Sequence, residues 1–279
     1  MGTLTDYRAR PHWSFSALNQ FFNVCSLQYA FDKIYRLPKA FTPVNLSFGS
    51  AFHRTLEWVG LTRMEGRMPA PAETADLFQT LWTRQTQEDT DLKYDEDMDE
   101  GSCANQGREM AACIVNNIDA EEQVISVSEA FAVPLVDAMG VSLETPLIGE
   151  IDCTVEKCGK KSLVDWKTAG RRWPKTKADL DWQPTAFLYG YSLKHGTLPE
   201  FRFDVVIKNR TPAFEQHVTT RCQDDFLRLV EYAKLAESMI AAEHFCPNEQ
   251  SFYCGGCPHQ DACKSWHRDR AKVSVSMAA

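Results

Sequence analysis

The sequence predicts an α/β protein: a mixed central sheet flanked by helices, with a helical arm before it and a cysteine-rich segment after it. Three observations carry that prediction. Apolar residues recur at helical spacing near the start, at Leu18, Phe21, Phe22, Cys25, Tyr29 and Phe31. At about residue 123 the pattern changes to alternating and β-branched runs, first VISVSEAFAVPLV, then LIGEIDCTVEK and KSLVDWKT. Helical spacing returns over 223–243 and gives way to three close cysteines, Cys254, Cys257 and Cys263. With 44% apolar and 24% charged residues in 279, the chain has material for a core, which excludes a disordered or collagen-like protein.

Each element has a local reason. Ser14 or Ser16 can cap the first helix. Pro38 and Pro43 punctuate a loop over 36–46, and a second helix should run from about Ser47 to about Thr62. Polar-faced helices near 73–88 and 104–118 flank an acidic surface loop, EDTDLKYDEDMDE. Strands are expected at 147–157, 161–168 and 201–209, with an edge strand near 213–220 and a helix at 179–194. No internal repeat is present, so the chain reads as one compact unit. It divides into a mainly helical part (14–122), an α/β core (123–222), a helix with the cysteine segment (223–268) and a tail (269–279).

The net charge is −8, mildly against a general nucleic-acid binder. Its distribution is more telling. Residues 157–177 hold eight basic residues around one acid, Asp165. No apolar run is long enough to span a membrane, and the start lacks a secretory leader, so a cytoplasmic protein with mostly reduced cysteines is expected. Cys103, Cys113, Cys153, Cys158 and Cys222 are scattered and read as small packing residues.

The strands around Cys158-Gly159 carry the chemistry. If those two residues form the hairpin loop, Asp152 falls directly opposite Asp165, with Glu150 opposite Lys167 on the same face. Two opposed carboxylates destabilise a plain sheet, whereas a hard divalent cation between them removes the repulsion. Mg²⁺ or Mn²⁺ there could hold a phosphate oxygen beside an ammonium group. The plainer alternative is a solvated hairpin, but the apolar flanks Ile151, Leu163, Val164 and Trp166 favour buried strands.

Cys254-x2-Cys257-x5-Cys263 is a compact thiolate run that needs a fourth ligand. Cys246, His259, His267 and the distant Cys25 are candidates, and zinc or an iron–sulfur cubane would suit such a set.

Gly149-Glu-Ile-Asp152 followed by Asp165-Trp-Lys167 resembles motifs II and III of the PD-(D/E)xK nuclease superfamily, most closely its RecB-like branch. That branch also has an upstream G-x-x-x-H, here Gly49 to His53, and a downstream Gln-x-x-x-Tyr, here Gln183 with Phe187 at the aromatic position. The resemblance implies a restriction-endonuclease-like core. It also implies metal ligands at His53, Asp152, Asp165 and the Trp166 carbonyl, a catalytic Lys167, and Gln183 placing the lysine or DNA. The N-terminal S-F-S-A-L-N-Q-F-F-N-V-C and the C-x2-C-x5-C run resemble the iron–sulfur members, including the AddB nuclease domain and CRISPR-associated RecB-like exonucleases. By that resemblance Cys25, Cys254, Cys257 and Cys263 hold a structural 4Fe–4S cluster that clips the two ends of the chain together. The resemblance runs from about 14 to 267, and no motif covers 64–122.

The implied activity is a metal-dependent deoxyribonuclease, an exonuclease preferring single strands. Arg171, Arg172 and Lys175 would contact phosphates, and aromatics such as Trp173, Trp182 and Tyr191 would stack on bases. Helicase, recombination, repair or CRISPR-adaptation proteins would be its partners. Two rivals are a catalytically silent nuclease-fold scaffold and a zinc-stabilised α/β protein.

Overall fold

The computed structural model describes residues 2–89, 91–96 and 98–266. The helices are α1 (Leu4–Arg8), α2 (Phe15–Asn19), α3 (Ser26–Tyr29), α4 (Val44–Met64), α5 (Pro71–Glu88), α6 (Glu100–Asn117), α7 (Lys177–Leu180), α8 (Gln183–His195), α9 (Gln223–Ala241) and α10 (Gln260–Trp266). The strands are β1 (Thr42–Pro43), β2 (Leu92–Lys93), β3 (Gln123–Val133), β4 (Leu147–Lys157), β5 (Lys160–Ala169), β6 (Glu200–Ile207) and β7 (Ala213–Thr219). The tail and His267 lie outside the described residues.

β3 to β7 form one five-stranded sheet in chain order, antiparallel except where β5 runs parallel to β6. α8, within the β5-to-β6 connection, supplies the crossover that a parallel pair requires. Helices cover both faces. Leu163, Phe201, Phe203 and Val205 pack with α8, α9 and the N-terminal segment. Val164, Trp166 and Val206 pack with α4, α5 and α6. Period-two alternation along β5 and β6 thus sends neighbouring residues into opposite layers.

The β4–β5 hairpin turns at Cys158 (φ 53°) and Gly159 (φ 77°). Two consecutive left-handed residues make the turn that matches strand twist, and glycine takes one of them without strain. Pairing runs from Lys157–Lys160 to Cys153–Val164 and stops there. Asp152 and Asp165, predicted to pair next, are not in the ladder. On the other side of β4, Val127 pairs with Cys153 and Glu129 with Ile151, and the Asp152 position between them is skipped. The β3 residue facing it, Ser128, has φ 51°. β4 also changes allegiance here, since Ile151 joins one core layer and Cys153 the other. Released on both sides, Asp152 uses its own carboxylate: Oδ2 accepts the Trp166 N–H at 3.0 Å.

The first helix differs from expectation. It is interrupted by π-helical turns at Gln20–Val24 and Ala30–Ile34, and Cys25 between them is extended (φ −173°). Cys103 and Cys153 are buried packing residues, but Cys158 and Cys222 are exposed, one in the hairpin turn and the other at the start of α9.

Candidate active site

Two helical layers meet at the opening between β4 and β5. From one side α4 brings His53, whose Nδ1 lies 3.2 Å from Asp152 Oδ2. From the other, the first turn of α8 brings Gln183, whose Nε2 donates to Asp165 Oδ1. Lys167 Nζ lies 2.6 Å from Asp165 Oδ2. Asp165 Oδ2 is buried, and the Lys167 ammonium is its close partner. Lys167 therefore engages Asp165 rather than Glu150, which pairs through its backbone with Ala130 on β3.

The two carboxyls titrate in opposite directions. Burial pushes Asp165 up to about 6, helped by Asp152 and opposed by Lys167. Asp152 also suffers burial, but His53, Lys167 and the Trp166 N–H hold it below the usual carboxylate range. Burial pulls on Lys167 as well, yet Asp165 and Asp152 outweigh it and raise its pKa, so it is an ammonium at neutral pH. Burial lowers His53 and Asp152 raises it, with a net upward shift.

Two carboxylates held close in a largely buried site are costly. A divalent cation between them would offset that cost, and hard carboxylate ligands next to an imidazole suit Mg²⁺ or Mn²⁺. His53, Asp152 and Asp165 fit that role on chemistry and adjacency. Among the described residues, no three His, Cys, Asp or Glu side chains already converge as a finished cage.

The loop leading to Gln183 is held by Arg221, a residue the sequence reading missed. Its guanidinium donates to the carbonyls of Ala178 (2.9 Å), Asp179 (3.2 Å), Asp181 (2.7 Å) and Thr220 (2.8 Å). It also donates to the hydroxyls of Thr185 (2.8 Å) and Thr219 (2.6 Å). A planar donor fork suits this binding of several acceptors at once. A lone arginine outside any motif carries no such signal in the sequence.

The predicted DNA-contacting residues divide. Arg171, Arg172 and Lys175 are exposed beyond β5, although Arg172 is paired with Glu215 at 2.6 Å. Tyr191 is buried in the core and stacks on His195, so its ring offers no free face to a base. Trp182 stacks on Tyr232 (4.1 Å), and Trp173 packs against Phe203 (5.1 Å).

Far along the chain, Cys25, Cys254, Cys257 and Cys263 line one cavity of about 230 Å³. Cys25 Sγ accepts the N–H groups of Gln28 and Asn248, both at 3.4 Å. Two of the rival ligands lie among the described residues, and neither lines this cavity. His259 is buried with Nε2 2.8 Å from Asp32, and Cys246 is exposed and serves Ser26 and Leu27 through its backbone carbonyl. Burial, then the neighbouring thiols, raises the pKa of Cys263. At Cys257 burial does the same, with the His259 N–H opposing it.

The fold is mixed α/β, with helices on both faces of a five-stranded mixed sheet. The profile of the PD-(D/E)XK nuclease superfamily matches residues 12–264, and the chain belongs to that superfamily. Among solved structures it is similar to a candidate exonuclease from Eubacterium rectale, at 15% identity and TM-score 0.49, covering 85% of this chain and 81% of that one. It is also similar to SSO0001, at 9% identity and TM-score 0.44, covering 92% and 89%. No curated protein matches the chain. No helix among the described residues is long and apolar enough to cross a membrane.

Proposed function

We propose that the protein is a metal-dependent deoxyribonuclease that degrades single strands from an end. The carrying observation is Asp165: a buried carboxylate close to Asp152, with His53 and Lys167 set against the two. His53, Asp152, Asp165 and the Trp166 carbonyl would hold Mg²⁺ or Mn²⁺. Such an ion supplies Lewis-acid polarisation of a phosphate oxygen and a lowered pKa for its bound water. Lys167, kept cationic by two carboxylates, is a donor rather than a base. It meets the negative charge that grows on the phosphate in the transition state, where a fixed positive group is most effective. Gln183 fixes the orientation of Asp165, and Arg221 fixes the loop that carries Gln183. Arg171 and Lys175, exposed just beyond β5, supply phosphate contacts of the salt-sensitive kind.

The four-cysteine cavity is the site of a structural 4Fe–4S cluster in this reading. Support comes from the shared lining and from His259, which is committed to Asp32. The cluster would convert binding free energy into folding free energy by joining the chain's ends. Iron and acid-labile sulfide in anaerobically purified protein are expected, whereas zinc in their place removes the cluster. For the enzyme, end-labelled single- and double-stranded DNA is incubated with Mg²⁺, Mn²⁺ or EDTA, beside Asp165→Ala. Metal-dependent loss of single strands that the variant lacks is expected. An inert wild-type protein, folded and metal-loaded, would favour the scaffold reading instead.

A further inference from the structure

A cleft of about 620 Å³ adjoins these groups. One wall is Glu150, Lys167 and Gln183; the other is the N-terminal segment, with Arg8, His12 and Lys33. That segment stands there because β5 has peeled away from β4. Trp13 takes up hydrogen bonding on β4 instead: its N–H donates to the Pro146 carbonyl, and the Ile148 N–H donates to the Trp13 carbonyl, both at 2.8 Å. Trp13 is itself anchored, with its indole buried and Nε1 donating to Glu237 at 3.1 Å. The wall is thus fixed by the sheet.

Its chemistry is that of a nucleotide site. Arg8 and Lys33 are exposed cations in a chain of net charge −8, and neither is committed to an ion pair within 4.0 Å among the described residues. Ser14 and Ser16 add two hydroxyls 3.0 Å apart at the same wall. Phe15, Ile148 and Phe187 give the cleft apolar surface on which a base or sugar can lie. The volume falls in the range of small-molecule sites, ~300–1,000 Å³.

We propose that this cleft holds the terminal nucleotide of the strand being cut, with Arg8 and Lys33 receiving its end phosphate. The inference builds on the nuclease reading of the adjoining carboxylates and adds what grips the strand end. The source of the phosphate, a 5′ or a 3′ terminus, is separated by the test. Internally labelled oligonucleotides with phosphate or hydroxyl at each end are titrated by fluorescence anisotropy in EDTA, so no turnover is needed. The wild-type protein should bind one phosphorylated end about tenfold more tightly than its hydroxyl counterpart, as expected for a charge-assisted contact. The double variant Arg8→Ala, Lys33→Ala should lose that preference while keeping its circular dichroism spectrum. Equal affinity for all four oligonucleotides, or a preference that survives the double variant, overturns the proposal. Cleavage with Mg²⁺ is followed in parallel. A phosphate preference without cleavage would sink the nuclease reading and leave the cleft; cleavage without any preference would do the reverse.

Discussion

The catalytic opening and the cysteine cavity are built by opposite means. The opening is made by breaking a sheet: one ladder skips Asp152, the other ends just before it, and charged groups fill the gap. The cysteine cavity is made by closure, since Cys25 and Cys254 to Cys263 come from the two ends of the chain. One site concentrates buried charge; the other is lined by half-buried thiols. Damage to the first should therefore appear as lost chemistry and damage to the second as lost stability.

The largest test of that contrast is Asp165→Ala. Cleavage should fall by at least ~100-fold, with metal content and thiol accessibility at the cysteine cavity unchanged. A change in thiol accessibility at the cysteine cavity in the same variant would show that the two sites are coupled. The mirror experiment is Cys257→Ala, expected to lower Tm by about 10 °C, while any protein that remains folded still cleaves. A stable variant with unaltered metal would remove Cys257 from the set.

Arg221→Lys sharpens the comparison. Lysine cannot reproduce the six-acceptor fork, so kcat should fall through a displaced Gln183, with a destabilisation of about 2 kcal/mol. An unchanged kcat alongside a lowered Tm would make Arg221 structural only.

Acid should act on the two regions with opposite sign. Asp165 is raised, so its contribution to stability is present below the ordinary carboxylate pKa and lost as pH rises through about 6. Deprotonation is also what a metal requires, so Mn²⁺ affinity measured by calorimetry should weaken about tenfold per unit below pH 6. Asp32, beside the cysteine segment, is instead lowered. Burial raises it, but His259, Gln20 and Lys39 together outweigh burial. Its contribution is present above the unfolded pKa and lost as pH falls through the folded one. Hydrogen exchange compared above and below pH 3.8 should show the Asp32–His259 contact opening before the β4–β5 hairpin only on the acid side, a difference smaller than the effects above. Simultaneous opening would contradict it.

What was legible in the sequence was local. A two-residue loop and a period of two place Cys158-Gly159 and align Lys157 to Cys153 with their partners. The early end of that ladder was not legible. It is tied to a left-handed Ser128 on a third strand and to Trp13, 134 residues before Leu147. The interruption at Cys25 was hidden because π-helical turns leave apolar spacing almost intact. Tyr191 was read as a base contact from its nearness to Gln183, but two turns along α8 the same helix faces the core. Arg221 shows the converse, an isolated residue whose importance exists only in three dimensions.

The joining of chain ends has a consequence for synthesis. Cys25 leaves the ribosome 229 residues before Cys254, a delay of roughly 10–50 s at ordinary elongation rates. All the groups of the catalytic opening, from His53 to Gln183, are made within that interval. A nascent chain can therefore pair β4 with β5 before the last wall of the cysteine cavity has been made.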